Sequence, residues 1–187
     1  MPDSYHHGNL RHDLIETAIR NISEHGLDSV SLREIASQCG VSHNAIYRHF
    51  SSKEAMIDQC RTYVTEELTS SLTQAVDGPD SSEDKLVRAG EAYVGFFVRH
   101  PTYFSALYRN SSYKVTVTLD EIADNYPPFE IFRRIFAQMY SQGQFTRDEA
   151  QLRLTSYWAT LHGTIALTVS RNVEMPCSWK AVIKSGF

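Results

Sequence analysis

The stretch Ser31 to Phe50, S-L-R-E-I-A-S-Q-C-G-V-S-H-N-A-I-Y-R-H-F, leaves this chain few ways to fold. Ser31 followed three residues later by Glu34 has the pattern of a capping box and predicts a helix start. Leu32, Ile35 and Ala36 recur at helical spacing and give that helix one apolar side. Gly40 fits the left-handed residue that ends a helix, and Val41 after it is expected to point inward. Ser42 predicts a second N-cap, followed by a short helix over residues 43–50. Ala45, Ile46 and Phe50 would face inward there. His43, Asn44, Tyr47 and Arg48 fall on the other side, where nothing in the segment covers them. Two short helices about a glycine turn, the second with an uncovered polar side, predict a helix-turn-helix.

Such a face suits a duplex. A helix fits the major groove with its N-terminal residues at the base edges, where Asn pairs bidentately with adenine and Arg with guanine. Tyr and His reach phosphates. The contact set read here is His43, Asn44, Tyr47 and Arg48, with Ser31, Ser42, His49 and Lys53 as phosphate anchors. The spacing alone also fits a helical corner of an ordinary all-helical protein with solvated polar residues.

From Ser31 to Glu54 the pattern S-L-R-E-I-A-x-x-x-G-V-S-x-x-A-I-Y-x-H-F-x-S-K-E runs without a gap, and it resembles the DNA-binding domain of the tetracycline-repressor (TetR) family of transcription regulators. The opening Y-H-H-G-N-L-R, Tyr5 to Arg11, is also similar to the approach to the first helix in that family. The resemblance implies a homodimeric, ligand-responsive repressor on a double-stranded DNA operator. Lys53 starts the next helix, where free backbone N–H groups and the helix dipole favour an anion. Spacing fits a solvated surface lysine as well as a phosphate anchor; the resemblance favours phosphate.

The remaining pattern is all-α. Leu14, Ile15, Ala18, Ile19 and Ile22 form the apolar side of a first helix over residues 10–25, ended by Gly26. A fourth helix is expected from about Lys53 to about Val76, with Ser52 as its N-cap. Residues 1–54 are read as a three-helix DNA-binding domain and residues 55–187 as a helical-bundle domain for ligand binding and dimerisation. Further helices are predicted over 83–100, 101–108, 118–125, 129–141, 147–172 and 178–184. Residues 113–117 have strand-like composition but no partner strand, so a loop or irregular helix start is expected.

Aromatic residues crowd the second half. Tyr93, Phe96, Phe97, Phe104, Tyr108, Phe132 and Phe136 would line a cavity between helices, with few charges among them, so a small apolar or aromatic effector is expected. Core packing accounts for the same residues. Y-W-A-T-L-H-G, Tyr157 to Gly163, resembles a TetR subgroup with a Trp–His–Gly signature. Trp158 and His162 are four apart and share a helix face, where they bracket a ligand or serve as core and buried imidazole. Ala159, Gly163 and Ala166 are small residues on other faces of that helix, where a second helix could approach. The family's last two helices pair into a four-helix dimer interface. The final helix here looks short, which implies a smaller interface or one that recruits residues 113–126.

Other classes fit poorly. No P-loop, G-x-S-x-G, H-E-x-x-H or G-x-G-x-x-G occurs, so an enzyme is not expected, nor is a cofactor. Hydrophobic residues at 42% and charged residues at 21% suit a soluble globular protein. There is no apolar run of membrane-spanning length, and M-P-D-S-Y-H-H-G has no apolar core of the signal-peptide kind. The three cysteines, Cys39, Cys60 and Cys177, lack metal-ligand spacing and fit reduced thiols in a cytoplasm. A metal- or redox-responsive sensor using His6, His7, His12 or these thiols is the alternative reading.

The net charge is −4, and the first sixty residues are not basic either, so DNA binding would rest on a local patch. His6, His7, His12, His25, His43 and His49 lie in that part of the chain. A protonated imidazole on a phosphate titrates above its free value of about 6.5, so the attraction is full below that pH and fades as pH rises through the bound value. Operator affinity at fixed salt is therefore expected to fall between about pH 6 and about pH 8. A fluorescence-anisotropy titration that stays flat across that range removes the histidines from the interface.

Overall fold

Backbone N–H groups at a helix start need acceptors, and this chain supplies hydroxyls where they are needed. A computed structural model describes residues 10–108, 114–170 and 172–186. Among them every regular element is helical: α1 (Leu10–His25), a 3-10 turn (Leu27–Ser29), α2 (Leu32–Gln38), α3 (His43–Ile46), α4 (Lys53–Val76), α5 (Ser82–Arg99), α6 (Pro101–Tyr108), α7 (Pro127–Ser141), α8 (Arg147–Val169) and α9 (Trp179–Ser185). The chain divides into two compact units. The first holds α1 to α3, α4 through Val64, and α6 from Thr102; the second holds the rest of α4, α5 and everything after residue 111.

In the first unit, Leu14, Ala18 and Ile22 of α1 are buried with Val30, Leu32, Ile35, Ile46 and Phe50, as the periodicity predicts. Ser31 Oγ accepts from Glu34 N at 3.4 Å, and Ser42 Oγ from Ala45 N at 3.3 Å. Between α2 and α3 the chain turns on Gly40 at φ 70°, with Gly40 N donating to Ser37 O and Val41 N to Ala36 O. That is a Schellman pair, and the positive φ is what makes glycine the fitting residue there. Val41 is half-buried, not the inward plug expected of it. α3 is also shorter than the predicted 43–50: the α-helix ends at Ile46, and a hydrogen-bonded turn carries the chain on, with Arg48 N donating to Ala45 O and His49 N to Ile46 O. α6 belongs to this unit through the Tyr103 hydroxyl, which donates to the Glu16 carboxylate of α1. Tyr103 also meets Tyr63 of α4, ring centroids 6.3 Å apart.

In the second unit α5, α7 and α8 pack on one another, and α9 packs on α5 and α8. Their shared core is aromatic: Tyr93, Phe97, Phe129, Phe132 and Phe136 are all fully buried. On α8, Leu154, Trp158, Leu161 and Ile165 form a buried seam, and Val169 is half-buried. Tyr140 of α7 is 42% exposed. The tightest approach is at Gly90 of α5. A Cβ there would stand 2.0 Å from Tyr157 Oη and 2.7 Å from Ile183 Cγ2. Tyr157 uses that closeness to donate to Leu86 O at 2.9 Å.

Residues 118–125 are not the predicted helix. They lie in an irregular strap whose backbone is held by side chains from elsewhere. The Asn125 carboxamide bonds both Thr116 N and Thr116 O, at 3.1 and 3.0 Å. Gln151 of α8 accepts from Leu119 N at 2.8 Å and donates to Val117 O at 3.2 Å. Arg133 of α7, paired with Glu130 at 2.5 Å, donates to Leu119 O. Asp124 sits at φ 59°. These tertiary acceptors and donors replace the i→i−4 ladder that local propensity would build. α7 starts at Pro127, earlier than predicted, because a proline loses nothing in a first turn. α8 ends at Val169 instead of near Asn172, with Ser170 extended.

Gly90→Ala is expected to destabilise the second unit by about 3 kcal/mol, since Tyr157 and the α9 side chain Ile183 must both move. Chemical unfolding should show the loss, and Gly90→Ala with Tyr157→Phe should recover part of it. A single variant as stable as the parent contradicts the packing described.

Candidate functional site

The N-cap at Ser42 and the buried Ile46 and Phe50 fix which way the turn after it faces. His43, Asn44, Tyr47 and Arg48 are consequently exposed together. Tyr47 is 48% exposed, high for a large aromatic side chain. Its ring meets the His43 ring edge-on with centroids 5.1 Å apart, which steadies both without covering either. Among the described residues no side chain hydrogen-bonds Asn44 or Arg48. The carboxamide and guanidinium thus keep their full donor and acceptor sets for an outside partner.

The four residues read as phosphate anchors are placed differently from one another. The Ser31 and Ser42 hydroxyls are already used as caps, though each oxygen can still donate its proton. His49 is half-buried beside Phe50, ring centroids 6.3 Å apart. Lys53 Nζ donates to the Asp28 carbonyl at 2.8 Å and so ties the start of α4 to the 3-10 turn. At the same helix start the Glu54 carboxyl is held below the usual carboxylate range, by a backbone N–H and by the Ser52 hydroxyl. An acidic group therefore already occupies part of the positive end that the sequence offered to phosphate. Arg33, Ser37 and Gln38 on α2 are exposed beside this turn in the chain; sequence reading passed over them, although their absence from the apolar side of α2 was visible. Arg11 was passed over too. Its guanidinium bonds Gln59 and lies 5.6 Å from the Phe50 ring centroid.

The aromatic residues read as an effector site separate into two groups. Phe104 and Tyr108 belong to the first unit, where their rings meet at 5.1 Å. Tyr93, Phe96, Phe97, Phe132, Phe136, Trp158 and His162 belong to the second. There Tyr93 touches Phe97, Phe132, Trp158 and His162 with centroids between 5.3 and 5.8 Å. Trp158 and His162 stand 4.5 Å apart. His162 Nδ1 is 3.0 Å from the Trp158 carbonyl, which can only accept, so Nδ1 carries the proton. Nε2 then accepts from the Tyr93 hydroxyl at 3.3 Å. Burial holds the imidazole below its ordinary pKa and keeps it neutral, which preserves that lone pair. The cluster is closely packed, with one polar pair set in an aromatic wall. Phe136 also borders a cleft of about 270 Å3 with Leu152 and Arg153.

For the sensor alternative, His6 and His7 lie outside the described residues. His12 stands edge-on to Tyr63 at 5.4 Å. Cys39 is buried and donates to Thr17 Oγ1 at 3.4 Å. Burial pushes the Cys60 thiol up to about 12, where it stays protonated and unreactive. Cys177 is exposed. Among the described residues no group of three His, Cys, Asp or Glu side chains is gathered to hold a metal ion. No described helix is long and apolar enough to cross a membrane.

Comparison with known proteins agrees with this geometry. The family model "Bacterial regulatory proteins, tetR family" matches residues 14–60, and "Tetracyclin repressor-like, C-terminal domain" matches residues 86–184. The chain is 42% identical over 52 residues to the HTH-type transcriptional regulator YerO of Bacillus subtilis, a match spanning 27% of this chain and 18% of that one. It is 29% identical over 110 residues to the probable acrEF/envCD operon repressor of Escherichia coli K12, spanning 55% and 49% of the two. The chain thus covers under half the length of each of these relatives. The TetR-family regulator PfmR of Thermus thermophilus shares the fold, with a TM-score of 0.67 at 19% identity over 92% of this chain and 93% of that one. With the tetR-family model matched over residues 14–60 and the tetracyclin repressor-like C-terminal domain over residues 86–184, more than half the length, the chain belongs to the tetR family of bacterial transcriptional regulators.

Proposed function

We propose that this chain is an effector-responsive repressor that reads a pseudo-palindromic operator as a homodimer. The observation that carries the reading is the turn after Ser42, where Tyr47, Asn44 and Arg48 stand exposed above buried Ile46 and Phe50. Two such turns related by a two-fold axis would enter successive major grooves, with half-sites about one helical turn apart or somewhat more. His43, Asn44, Tyr47 and Arg48 are the base-edge set. Ser31, Ser42, His49 and Lys53 face phosphate, Lys53 with the donors that Asp28 leaves over.

A side of α8 supports the dimer. Leu152, Ser156, Ala159, Gly163 and Ala166 recur in steps of three and four, Leu167 lies four past Gly163, and all six are exposed. Leu152 at 67% and Leu167 at 47% are large apolar side chains left in water by a single chain. Small residues between them would let a second α8 lie close. The effector is small and apolar or aromatic, and it enters the closely packed cluster around Tyr93, Phe132, Trp158 and His162 by displacing side chains, with the Tyr93–His162 pair as its polar contact. It acts by moving α4, and a coupling on the order of 1–3 kcal/mol is enough to release an operator.

Selection of operator fragments from genomic DNA, followed by gel-shift titration, tests the proposal. Tyr47→Ala and Asn44→Ala are each expected to weaken operator binding by about tenfold or more with unchanged thermal stability. Equal binding by both variants refutes the contact face. Gly163→Arg is expected to turn a dimer into a monomer in sedimentation, since nothing lies within 4 Å of a Cβ there in the single chain; a dimer that survives the substitution uses another surface.

A further inference from the structure

A second concave feature lies away from the aromatic cluster. It is a cleft of about 370 Å3 bordered by the last turn of α4, one stripe of α5 and the start of α9, all within the second unit. The α5 stripe runs Arg88, Glu91, Gly95, Arg99, and α9 adds Trp179 and Lys180. Gly95 makes the floor. A Cβ there would meet Arg99 Nη1 at 3.3 Å and the Trp179 ring edge at 3.5 Å, so guanidinium and indole converge above a position without a side chain. Lys180 Nζ stands 5.6 Å from the same indole.

The charges in the cleft do not balance. Glu91 faces Lys184 at 3.6 Å, and Arg88 faces Asp80 at 2.6 Å. Arg99 and Lys180 have no carboxylate near them among the described residues. Arg88 is also incompletely matched: Nη2 is near Asp80 but off the line of a hydrogen bond, and Nε is shut from solvent with no acceptor. A guanidinium nitrogen shut from water lacks an oxygen it could bind.

We propose that this cleft binds a small aromatic carboxylate, its two oxygens held by Arg99 and Lys180 and its ring laid against Trp179. The planar fork of a guanidinium fits a carboxylate in two parallel bonds. The indole supplies the flat apolar surface that an arene takes up. Cleft volume sets the size class at that of a small molecule. The charge sets the ligand at one or two negative charges, because the Glu91 carboxylate on the wall opposes a polyphosphate. The site is independent of the effector reading at the Tyr93–His162 cluster, and either can fail alone.

Isothermal titration of the full chain with 2-naphthoate, beside the uncharged 2-naphthamide, tests it. Naphthoate is expected to bind saturably at one site per chain, with Kd on the order of 100 µM, and naphthamide about tenfold or more weaker. Arg99→Gln with Lys180→Gln alters two exposed side chains; the fold should keep its unfolding midpoint while naphthoate affinity falls about tenfold or more. Inorganic phosphate at equal concentration should not displace the ligand. No saturable binding, equal affinity for the amide, displacement by phosphate, or binding untouched by the double variant each overturns the proposal. If His162→Gln abolishes binding while the double variant leaves it intact, the ligand sits in the aromatic cluster and the cleft assignment is wrong.

Discussion

Hydroxyl capping is the interaction on which the helical order of this chain depends. Ser31, Ser42, Ser52, Ser81, Thr146 and Ser178 each accept from the backbone N–H three residues on, at 3.1 to 3.4 Å. Each such cap stabilises a helix by about 1 kcal/mol. For α4 and α8, 24 and 23 residues long, a cap mainly fixes the first residue. For α2, α3 and α9, with seven, four and seven residues, it is a condition of existence, because helices so short do not persist alone in water. α3 survives only because its Ser42 cap and its Schellman-turned approach set Ile46 into a shared core. The same geometry turns Tyr47 and Asn44 outward. The stability of this element and the exposure of its polar side follow from one placement.

The two units solve the problem of polar groups differently. The first buries Thr17, Asn21 and Arg61 and uses other polar groups as ties, such as Lys53 to the Asp28 carbonyl and Tyr103 to Glu16. The second carries polar groups inside. Arg133 and Asn125 are buried, yet each is matched, with Glu130 and the strap backbone as partners. His162 is likewise matched on both ring nitrogens. Buried groups that are fully bonded specify one arrangement, since any other leaves an orphan costing about 1–3 kcal/mol. The Arg88 guanidinium in the α5–α9 cleft is incompletely matched.

Membership of α6 in the first unit means that the chain passes between the units at three points: within α4, at the start of α6 and again after it. Each crossing is a covalent route along which a change in the second unit can reach the first. α4 runs as a continuous helix through its crossing, and helices transmit displacement with little internal loss because their backbone bonds are local.

Much was legible in the residues themselves. Capping serines, terminating glycines and helical periodicity located α1, α2, α4, α5 and α9 closely, and the polar run His43, Asn44, Tyr47, Arg48 announced an exposed face. These are local features, set by hydrogen bonds and spacing within a few residues. Three-dimensional packing decided the rest. Residues 118–125 could not be read because their bonding partners, Arg133 and Gln151, come from other helices. The need for glycine at position 90 exists only because Tyr157 and Ile183 arrive there from α8 and α9. The attachment of α6 to the first unit turns on a contact between Tyr103 and Glu16, 87 residues apart in the chain. A sequence states what each segment prefers; which distant side chain completes it is fixed only when the chain closes on itself.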